Sequence, residues 1–291
     1  MSTHRVSGRA AALDGRLWVV GGITDASVDL TCSMEVYDPT TNAWTNSTPY
    51  PGCTHQTKLS LARAQTKPSL AGAHPLRLTA GGGLGNTPGL IFHSMVAANG
   101  LLVVVGATKD SHQPTVATFD PATKAWTPWP PANETTATMR IGTAAASLGD
   151  GAKGVVVSLG GSAEMAGPGL HPYASAQQLS VSSGPGTRWT PLPPMTTPRA
   201  FTAAAVTGGR VLAFGGVAGS AKAKLRSAEA LTMAAGKHSW TPIADMQTAR
   251  GGHGAGVIDG MVYAVGGMGG GGGMPHPLAS AEVLNASSWR S

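Results

Sequence analysis

The sequence predicts an all-β fold built from repeated four-stranded antiparallel sheets, and three observations lead to this prediction. Glycine accounts for 41 of the 291 residues, and a glycine-rich chain with many turn residues is typical of short strands joined by tight turns. A short apolar run followed by a glycine pair recurs along the chain, and a hairpin that ends in tryptophan follows each copy. The last four copies lie 51 to 55 residues apart, which is a period of repeat architectures.

The glycine pairs mark the predicted end of the second strand in each repeat. The strings RLWVVGG (16–22), RVLAFGG (210–216) and MVYAVGG (261–267) show the pattern, and Gly106-Ala107 is a weaker copy. Upstream of each pair lies another glycine, and dipeptides such as Asp259-Gly260 tolerate the positive φ angles of a type I′ turn. We therefore expect a hairpin before each pair and a structural role for the pairs themselves. The glycines assigned this role are Gly21, Gly22, Gly160, Gly161, Gly215, Gly216, Gly266 and Gly267.

A second predicted hairpin follows each glycine pair and ends in tryptophan. In MEVYDPTTNAW (34–44) and VATFDPATKAW (116–126) an Asp-Pro dipeptide makes the turn. Apolar and polar residues alternate here as in half-buried strands, and no helical period is sustained. Since a large indole packs well between neighbouring sheets, we expect these tryptophans to be structural. They are Trp44, Trp126, Trp189, Trp240 and Trp289.

Each repeat thus supplies four antiparallel strands, which make one blade of a β-propeller. The combination of Arg, turn Gly, Gly pair, (Tyr/Phe)-Asp-Pro and Trp resembles the kelch repeat family, and the resemblance implies a single kelch-type β-propeller over residues 1–291. The five clear blades are expected at about 1–48, 90–131, 138–194, 197–246 and 248–291.

The stretch 49–89 contains no tryptophan hairpin and is either an insertion or a degenerate sixth blade. PLRLTAGGG (75–83) has the pattern of an eroded inner hairpin, and the six-bladed closure common in the resembled family favours the blade. A further alternative is that the chain is a fragment, because SSWRS falls inside the outermost strand of the last repeat.

Arginines at the start of the repeats are the candidate partner-binding residues. Arg5, Arg199 and Arg250 each lie sixteen residues before a glycine pair, and Arg140 lies twenty before its pair because LGDGAK is inserted. In an up-and-down blade these arginines share a face with the variable loops that follow the glycine pairs, and such loops commonly carry binding determinants.

Resemblance to kelch modules that recognise partners implies that the four arginines form a partial ring of bidentate donors for carboxylates. Leu90 replaces the arginine of the second repeat, so the ring is expected to be interrupted there. The alternative is that each arginine anchors the framework through backbone carbonyls.

The net charge of +6 is spread thinly, and AKAKLR (221–226) is the densest basic cluster. Its Lys222, Lys224 and Arg226 favour a protein partner with an acidic motif. No long basic run points to nucleic acid, and no apolar stretch has the length of a membrane span. Two cysteines, Cys32 and Cys53, could pair in an oxidising compartment, but they are expected to be unpaired thiols, and the predicted location is cytoplasmic.

Motifs of enzymes are weak in this sequence, so no catalytic residue, metal or cofactor is predicted. HExxH is absent, GGMGGGGGMP (266–275) lacks the Gly-Lys-Ser/Thr of a phosphate loop, and His253 is interpreted as a core histidine. The predicted function is a non-catalytic protein–protein interaction module that binds through the arginine-and-loop face. The family resemblance implies substrate recognition for a ubiquitin ligase or a cytoskeletal scaffold. The alternative is a sugar-acting enzyme of the oxidase or epimerase class on a kelch-type propeller.

Overall fold

The computed structural model contains five four-stranded antiparallel sheets and two short two-stranded ladders. The structure describes residues 1–5, 7–23, 31–51, 93–107, 114–129, 140–148, 154–162, 170–219, 223–234, 237–270, 276–285 and 288–290. Within these ranges the helical content is limited to one 3-10 turn, Val181–Ser183.

The sheets are called blades 1 to 5 here. Blade 1 consists of β1 (Arg9–Leu13), β2 (Arg16–Val20), β3 (Met34–Asp38) and β4 (Ala43–Ser47). Blade 2 consists of β5 (Ser94–Ala98), β6 (Leu101–Ala107), β7 (Pro114–Asp120) and β8 (Ala125–Pro128). Blade 3 consists of β9 (Ala144–Leu148), β10 (Val155–Leu159), β11 (Ala176–Ser180) and β12 (Thr190–Leu192).

The last two blades each carry an extra ladder in the loop after their second strand. The strands of this region begin with β13 (Ala203–Thr207), β14 (Arg210–Phe214), β15 (Val217–Ala218), β16 (Ala223–Lys224), β17 (Ala228–Ala234) and β18 (Lys237–Ile243). They continue with β19 (Gly254–Ile258), β20 (Met261–Val265), β21 (Met268–Gly269), β22 (His276–Pro277), β23 (Ala281–Asn285) and β24 (Ser288–Arg290). Blade 4 is β13-β14-β17-β18, blade 5 is β19-β20-β23-β24, and β15-β16 and β21-β22 form the two ladders.

Two-residue turns join the first and second strands of blades 1, 2, 4 and 5. In blade 1, Leu13 pairs with Arg16, and the intervening Asp14 and Gly15 have φ angles of 52° and 70°. Positive φ at both central residues is the geometry of a type I′ turn, whose twist matches that of the flanking strands. The Asp-Gly and Asn-Gly dipeptides therefore set the register of the inner hairpins in blades 1, 2 and 5.

Successive blades pack face to face in chain order. The inner strands β1, β5, β9, β13 and β19 contact one another in that sequence, and apolar clusters fill the spaces between blades. Between blades 4 and 5, for example, Leu212 and Phe214 pack against Val262 and Ala264. The predicted all-β propeller of four-stranded antiparallel blades is confirmed, and the described residues contain the five clear blades. Most of the stretch 49–89 lies outside the described residues, so its assignment stays a prediction.

The glycine pairs lie where the backbone leaves the second strand. Gly215 and Gly216 have φ angles of 62° and 102°. A Cβ atom at Gly215 would lie 2.6 Å from the carbonyl oxygen of Arg250 and 2.6 Å from Cε1 of His253. Both the backbone angle and the close approach of the next blade require glycine at this position.

Four of the five predicted tryptophans contact the blade before their own. The indole Nε1 of Trp240 donates to the carbonyl of Pro193 at 2.9 Å, and that of Trp289 donates to the carbonyl of Ala244 at 3.0 Å. Trp126 makes the equivalent bond to blade 1, and Trp189 is buried between blades 2 and 3. The ring of Trp44 differs, because it is half-buried and stacks on Tyr37 of its own blade.

Candidate functional site

The segment that begins each blade lies beside the loop that follows its glycine pair. Ile141 pairs with Ser162, Ala200 with Val217, and Gly251 with Met268. Each first residue of these pairs directly follows one of the predicted arginines in the sequence. The start of the blade and the loops therefore share one face of the propeller, which we call the loop face.

In blade 4 the predicted arginine is fully engaged inside its own blade. Nε of Arg199 lies 3.1 Å from Oε1 of Glu229, and Nη1 donates to the carbonyls of Gly215 and Ser227 at 3.0 and 2.8 Å. Nη2 donates to the hydroxyl of Ser227 at 3.0 Å. The arginine therefore joins the end of the second strand to the start of the third.

Blades 1 and 5 contain the same arrangement. Arg5 pairs with Glu35 at 2.5 Å and Arg250 pairs with Glu282 at 2.6 Å, and in both blades the arginine also bonds the equivalent glycine carbonyl and serine. Each glutamate further accepts a backbone N–H from the residue three positions before the arginine. These donors are Ser2, Thr196 and Gln247. We call this unit the Arg–Glu clasp.

The electrostatics of the clasp favour ionised carboxylates. Burial of Glu35 opposes ionisation, but hydrogen bonds from Ser2 and the guanidinium of Arg5 outweigh it and lower the pKa of the carboxyl to about 2. The pKa of Glu282 is also lowered, because Arg250 and the two backbone donors of the entering segment outweigh its burial. Buried and hydrogen-bonded charges of this kind hold the blade together only as complete pairs.

The clasp corrects the prediction for three of the four arginines. The side chains of Arg5, Arg199 and Arg250 are 2%, 1% and 0% exposed, and their guanidinium groups are paired within the blade. They cannot offer a bidentate contact to a partner, so the framework alternative holds for them. The physical reason is that each of these repeats supplies its own carboxylate.

The sequence carries a signal for this pairing in the motif Ser-x-Glu, which is found at 33–35, 227–229 and 280–282. In the second repeat both halves are replaced in the sequence, because Ala117 stands for the glutamate and Leu90, which lies outside the described residues, for the arginine. The joint loss of both charges in one repeat is what a buried ion pair predicts.

Blade 3 keeps the arginine and lacks the carboxylate. Gln177 occupies the glutamate position, two residues after Ser175. The guanidinium of Arg140 lies 3.5 Å from the carbonyl of Ser175 and its Cζ lies 5.5 Å from the ring centroid of Tyr173. Among the described residues no Asp or Glu is within ion-pair distance of it.

Arg140 is also half-buried rather than enclosed. Burial lowers the pKa of its guanidinium, and Tyr173 opposes this shift. A partly desolvated cation with unused N–H donors is a site where a carboxylate would be held strongly. Arg140 is therefore the member of the predicted set whose guanidinium has no carboxylate partner among the described residues.

A family model of the Kelch motif matches residues 4–49, 198–247 and 249–291. The chain is a kelch-type β-propeller. The matched stretches correspond to blades 1, 4 and 5, which are the blades with a complete Arg–Glu clasp. Kelch propellers generally bind proteins, so the fold supports a protein-interaction module.

Among solved structures, one described as "Structure of YjhT" is similar to this kelch protein. The two share 16% sequence identity with a TM-score of 0.66, and the match covers 98% of this chain and 83% of that one. A likeness at this identity concerns the fold alone. A search of curated proteins finds no match.

The basic cluster of the kelch protein lies in and after the ladder of blade 4. Lys224 is half-buried in β16, and Arg226 is exposed and lies 3.3 Å from Asp245 in an ion pair. Lys222 falls outside the described residues. Lys224 and Arg226 thus lie in the segment between the glycine pair and the third strand of blade 4, which belongs to the loop face.

His253 is enclosed between blades 4 and 5 of the kelch protein. Its ring centroid lies 5.4 Å from that of Phe214. Burial and the nearby charge of Arg250 lower the pKa of the imidazole to about 3, so it is neutral at physiological pH. Across the described ranges, no group of three or more His, Cys, Asp or Glu side chains is placed to hold a metal ion.

Cys32 does not have the free thiol expected from the sequence, because it is bonded in a disulfide. The chain contains one other cysteine, Cys53, which lies outside the described residues. Within the part of the chain that the structure describes, no helix is long and apolar enough to cross a membrane.

Proposed function

We propose that this kelch protein is a non-catalytic interaction module that binds an acidic segment of a partner protein on its loop face, with Arg140 as the principal charged contact. The observation that carries the proposal is the contrast within the chain. Arg5, Arg199 and Arg250 have a carboxylate of their own blade, whereas Arg140 has none among the described residues.

The chemistry of this position favours a carboxylate ligand. A guanidinium presents its N–H donors in a planar fork that matches a carboxylate, and the ring of Tyr173 supports it from one side. An Asp or Glu of a partner would supply the negative charge that Glu229 supplies in blade 4. Arg226 and the lysines of the basic cluster would add longer-range attraction, which makes the association salt-dependent.

The test compares the wild-type chain with Arg140→Ala and with the control Arg16→Ala. Arg16 is an exposed arginine in the turn region of blade 1, and its guanidinium pairs with Asp38. Partners captured from lysate by the wild-type chain are identified, purified and titrated against all three proteins, after thermal melts show that each is folded. Arg140→Ala is expected to weaken binding by about 2 kcal/mol, or roughly thirtyfold, and Arg16→Ala to leave it unchanged. Equal affinities for all three proteins would overturn the proposal.

Two finer roles follow from the family resemblance, namely substrate recognition for a ubiquitin ligase and a cytoskeletal scaffold. The identity of the purified partner distinguishes them. Co-purification of ligase subunits supports the first role, and co-sedimentation with filaments supports the second. Turnover of a sugar by the purified chain would overturn the non-catalytic part of the proposal.

The location of the protein is decided by a separate measurement. The sequence predicts a cytoplasmic protein, whereas the disulfide at Cys32 favours an oxidising compartment, because cytosolic reductants keep most thiols reduced. Alkylation of free thiols in rapidly denatured cells reports the state of Cys32. A modified Cys32 supports the cytoplasmic location, and a protected one supports the oxidising compartment.

A further inference from the structure

Blade 5 presents a sheet face that the described residues leave uncovered. All five residues of β19 are exposed, and the apolar side chains of Ile258 and Val265 are 60% and 54% exposed. In β13, the corresponding strand of blade 4, no residue is exposed. An apolar sheet face of this kind is a site of association.

This uncovered face is built like a face that is covered elsewhere in the molecule. In blade 4, the side of the sheet formed by Ala203, Ala205, Leu212 and Phe214 packs against blade 5. The same register positions of blade 5 hold Gly254, Gly256, Tyr263 and Val265. Small residues on the inner strand and large apolar residues on the second strand occur in both. The uncovered side of blade 5 therefore matches the side of blade 4 that packs against blade 5.

Blade 1 carries the other half of such an interface between blades. In blade 5, the side facing blade 4 is formed by Val262, Ala264, Leu284 and Trp289. The equivalent positions of blade 1 hold Leu17, Val19, Tyr37 and Trp44. Leu17 is 37% exposed and Trp44 is half-buried, whereas Trp289 is 4% exposed.

Near the start of the blades, a series of backbone hydrogen bonds runs from one blade to the next. Within the described residues this series ends at blade 5 and at blade 1. The N–H of Phe201 donates to the carbonyl of Gly142, and the N–H of Gly252 donates to the carbonyl of Phe201, both at 2.8 Å. All three residues have positive φ, and Ser7 of blade 1 has the same conformation with φ 62°. Among the described backbone groups, the carbonyl of Gly252 and the N–H of Ser7 have no partner in this series.

We propose that these two halves bind each other between copies of the chain, so that blade 5 of one copy packs against blade 1 of a second copy. The faces are complementary because they repeat an interface that the chain already forms between blades 4 and 5. In one copy Ile258 and Val265 of blade 5 and Leu17 of blade 1 are exposed, so the described parts of the two faces do not cover each other. The contact extends the series of backbone bonds through the Gly252 carbonyl and the Ser7 N–H. This interface is separate from the loop face.

The contact is heterologous, since two different surfaces meet. A heterologous contact closes into a ring only if its rotation permits and otherwise adds copies head to tail. A charge placed on either face therefore prevents self-association. In a mixture of a variant altered on the blade 5 face with one altered on the blade 1 face, the unaltered blade 1 face of the first can still bind the unaltered blade 5 face of the second.

The test is sedimentation velocity over a broad range of protein concentration. Ile258→Glu alters the blade 5 face and Leu17→Glu alters the blade 1 face. Met268→Glu is the control, because Met268 is 38% exposed and lies in the β21-β22 ladder, outside both faces. Thermal melts establish that each variant is folded.

We expect the wild-type chain and the Met268→Glu variant to associate with rising concentration. Each of the other two variants should associate at least tenfold more weakly, and their equimolar mixture should form a dimer and nothing larger. A wild-type chain that stays monomeric overturns the proposal. Full association of Leu17→Glu also overturns it, because blade 5 faces would then pair with each other.

Discussion

Arg250 and Glu282 lie 32 residues apart in the chain and form a buried ion pair, with Nη2 and Oε1 at 2.6 Å. The same carboxylate accepts the backbone N–H groups of Gln247 and Thr248. One glutamate thus fixes both the arginine and the segment through which the chain enters the blade. Blades 1 and 4 repeat this relationship. Blade 3 departs from it, and Arg140 therefore has no carboxylate partner among the described residues.

Removal of one clasp carboxylate should destabilise the protein strongly. In Glu229→Gln the guanidinium of Arg199 stays buried without a counter-charge, so we expect the free energy of unfolding to fall by about 3–5 kcal/mol. Urea denaturation measures the change. The control Asp245→Asn breaks the exposed pair with Arg226, and it should cost less than about 1 kcal/mol. Equal losses in the two variants would contradict the structural role of the clasp.

Gln177→Glu should restore a clasp in blade 3. The new carboxylate would pair with Arg140, so we expect a gain of roughly 1.5–3 kcal/mol in the free energy of unfolding and weaker binding of an acidic partner. Urea denaturation and partner titration measure the two effects. The control Gln178→Glu places the same charge one residue along, on the opposite face of β11. A Gln177→Glu variant that keeps full affinity for the partner would remove Arg140 from the binding site.

The clasp carboxylates should make stability depend on acidic pH. The folded protein lowers the pKa of Glu35 from 4.5 to about 2, so the unfolded chain binds the proton first as pH falls. The contribution of Glu35 is complete above pH 4.5 and is lost as pH falls toward about 2. Urea midpoints measured across this range should fall more steeply for the wild-type chain than for Glu35→Gln. Parallel curves would show that the carboxylate does not titrate as the structure requires.

Gly215→Ala should lower the Tm more than the same substitution at a glycine with a similar φ angle. The methyl group would meet the carbonyl of Arg250 at 2.6 Å, in addition to the strain of positive φ. At Gly209, φ is 70° and nothing lies within 4 Å, so Gly209→Ala should cost only the backbone strain of about 1–2 kcal/mol. Thermal melts compare the two variants. A similar drop in Tm for both would indicate that the neighbouring blade yields to the methyl group.

The blades could be predicted from the sequence because their determinants are local. The Asp14-Gly15 turn and the Gly215-Gly216 pair impose their backbone angles wherever they occur, so their spacing reports the repeat directly. The role of the arginines could not be predicted in the same way. It depends on whether a carboxylate some 30 residues later faces the guanidinium, and that pairing became visible only with the register of β14 against β17.

The disulfide at Cys32 was missed for a related reason. Two cysteines carry no pattern, and whether they meet is decided by distance in the folded chain. The distinct position of Arg140 could have been found from the sequence by comparing the repeats with one another. Gln177 is where the third copy departs from Ser-x-Glu.

In blades 1, 4 and 5 the clasp ties the segment before the first strand to the third strand of the same blade, and no strand is shared between blades in the described part of the chain. One contiguous stretch of sequence therefore encodes such a blade together with the ion pair of its own clasp. Tandem duplication or deletion of such a stretch would add or remove a whole structural unit and leave the internal ion pairs of its neighbours intact. Lineages of this architecture can change blade number by simple genetic events, and only the contacts between blades have to be adjusted afterwards.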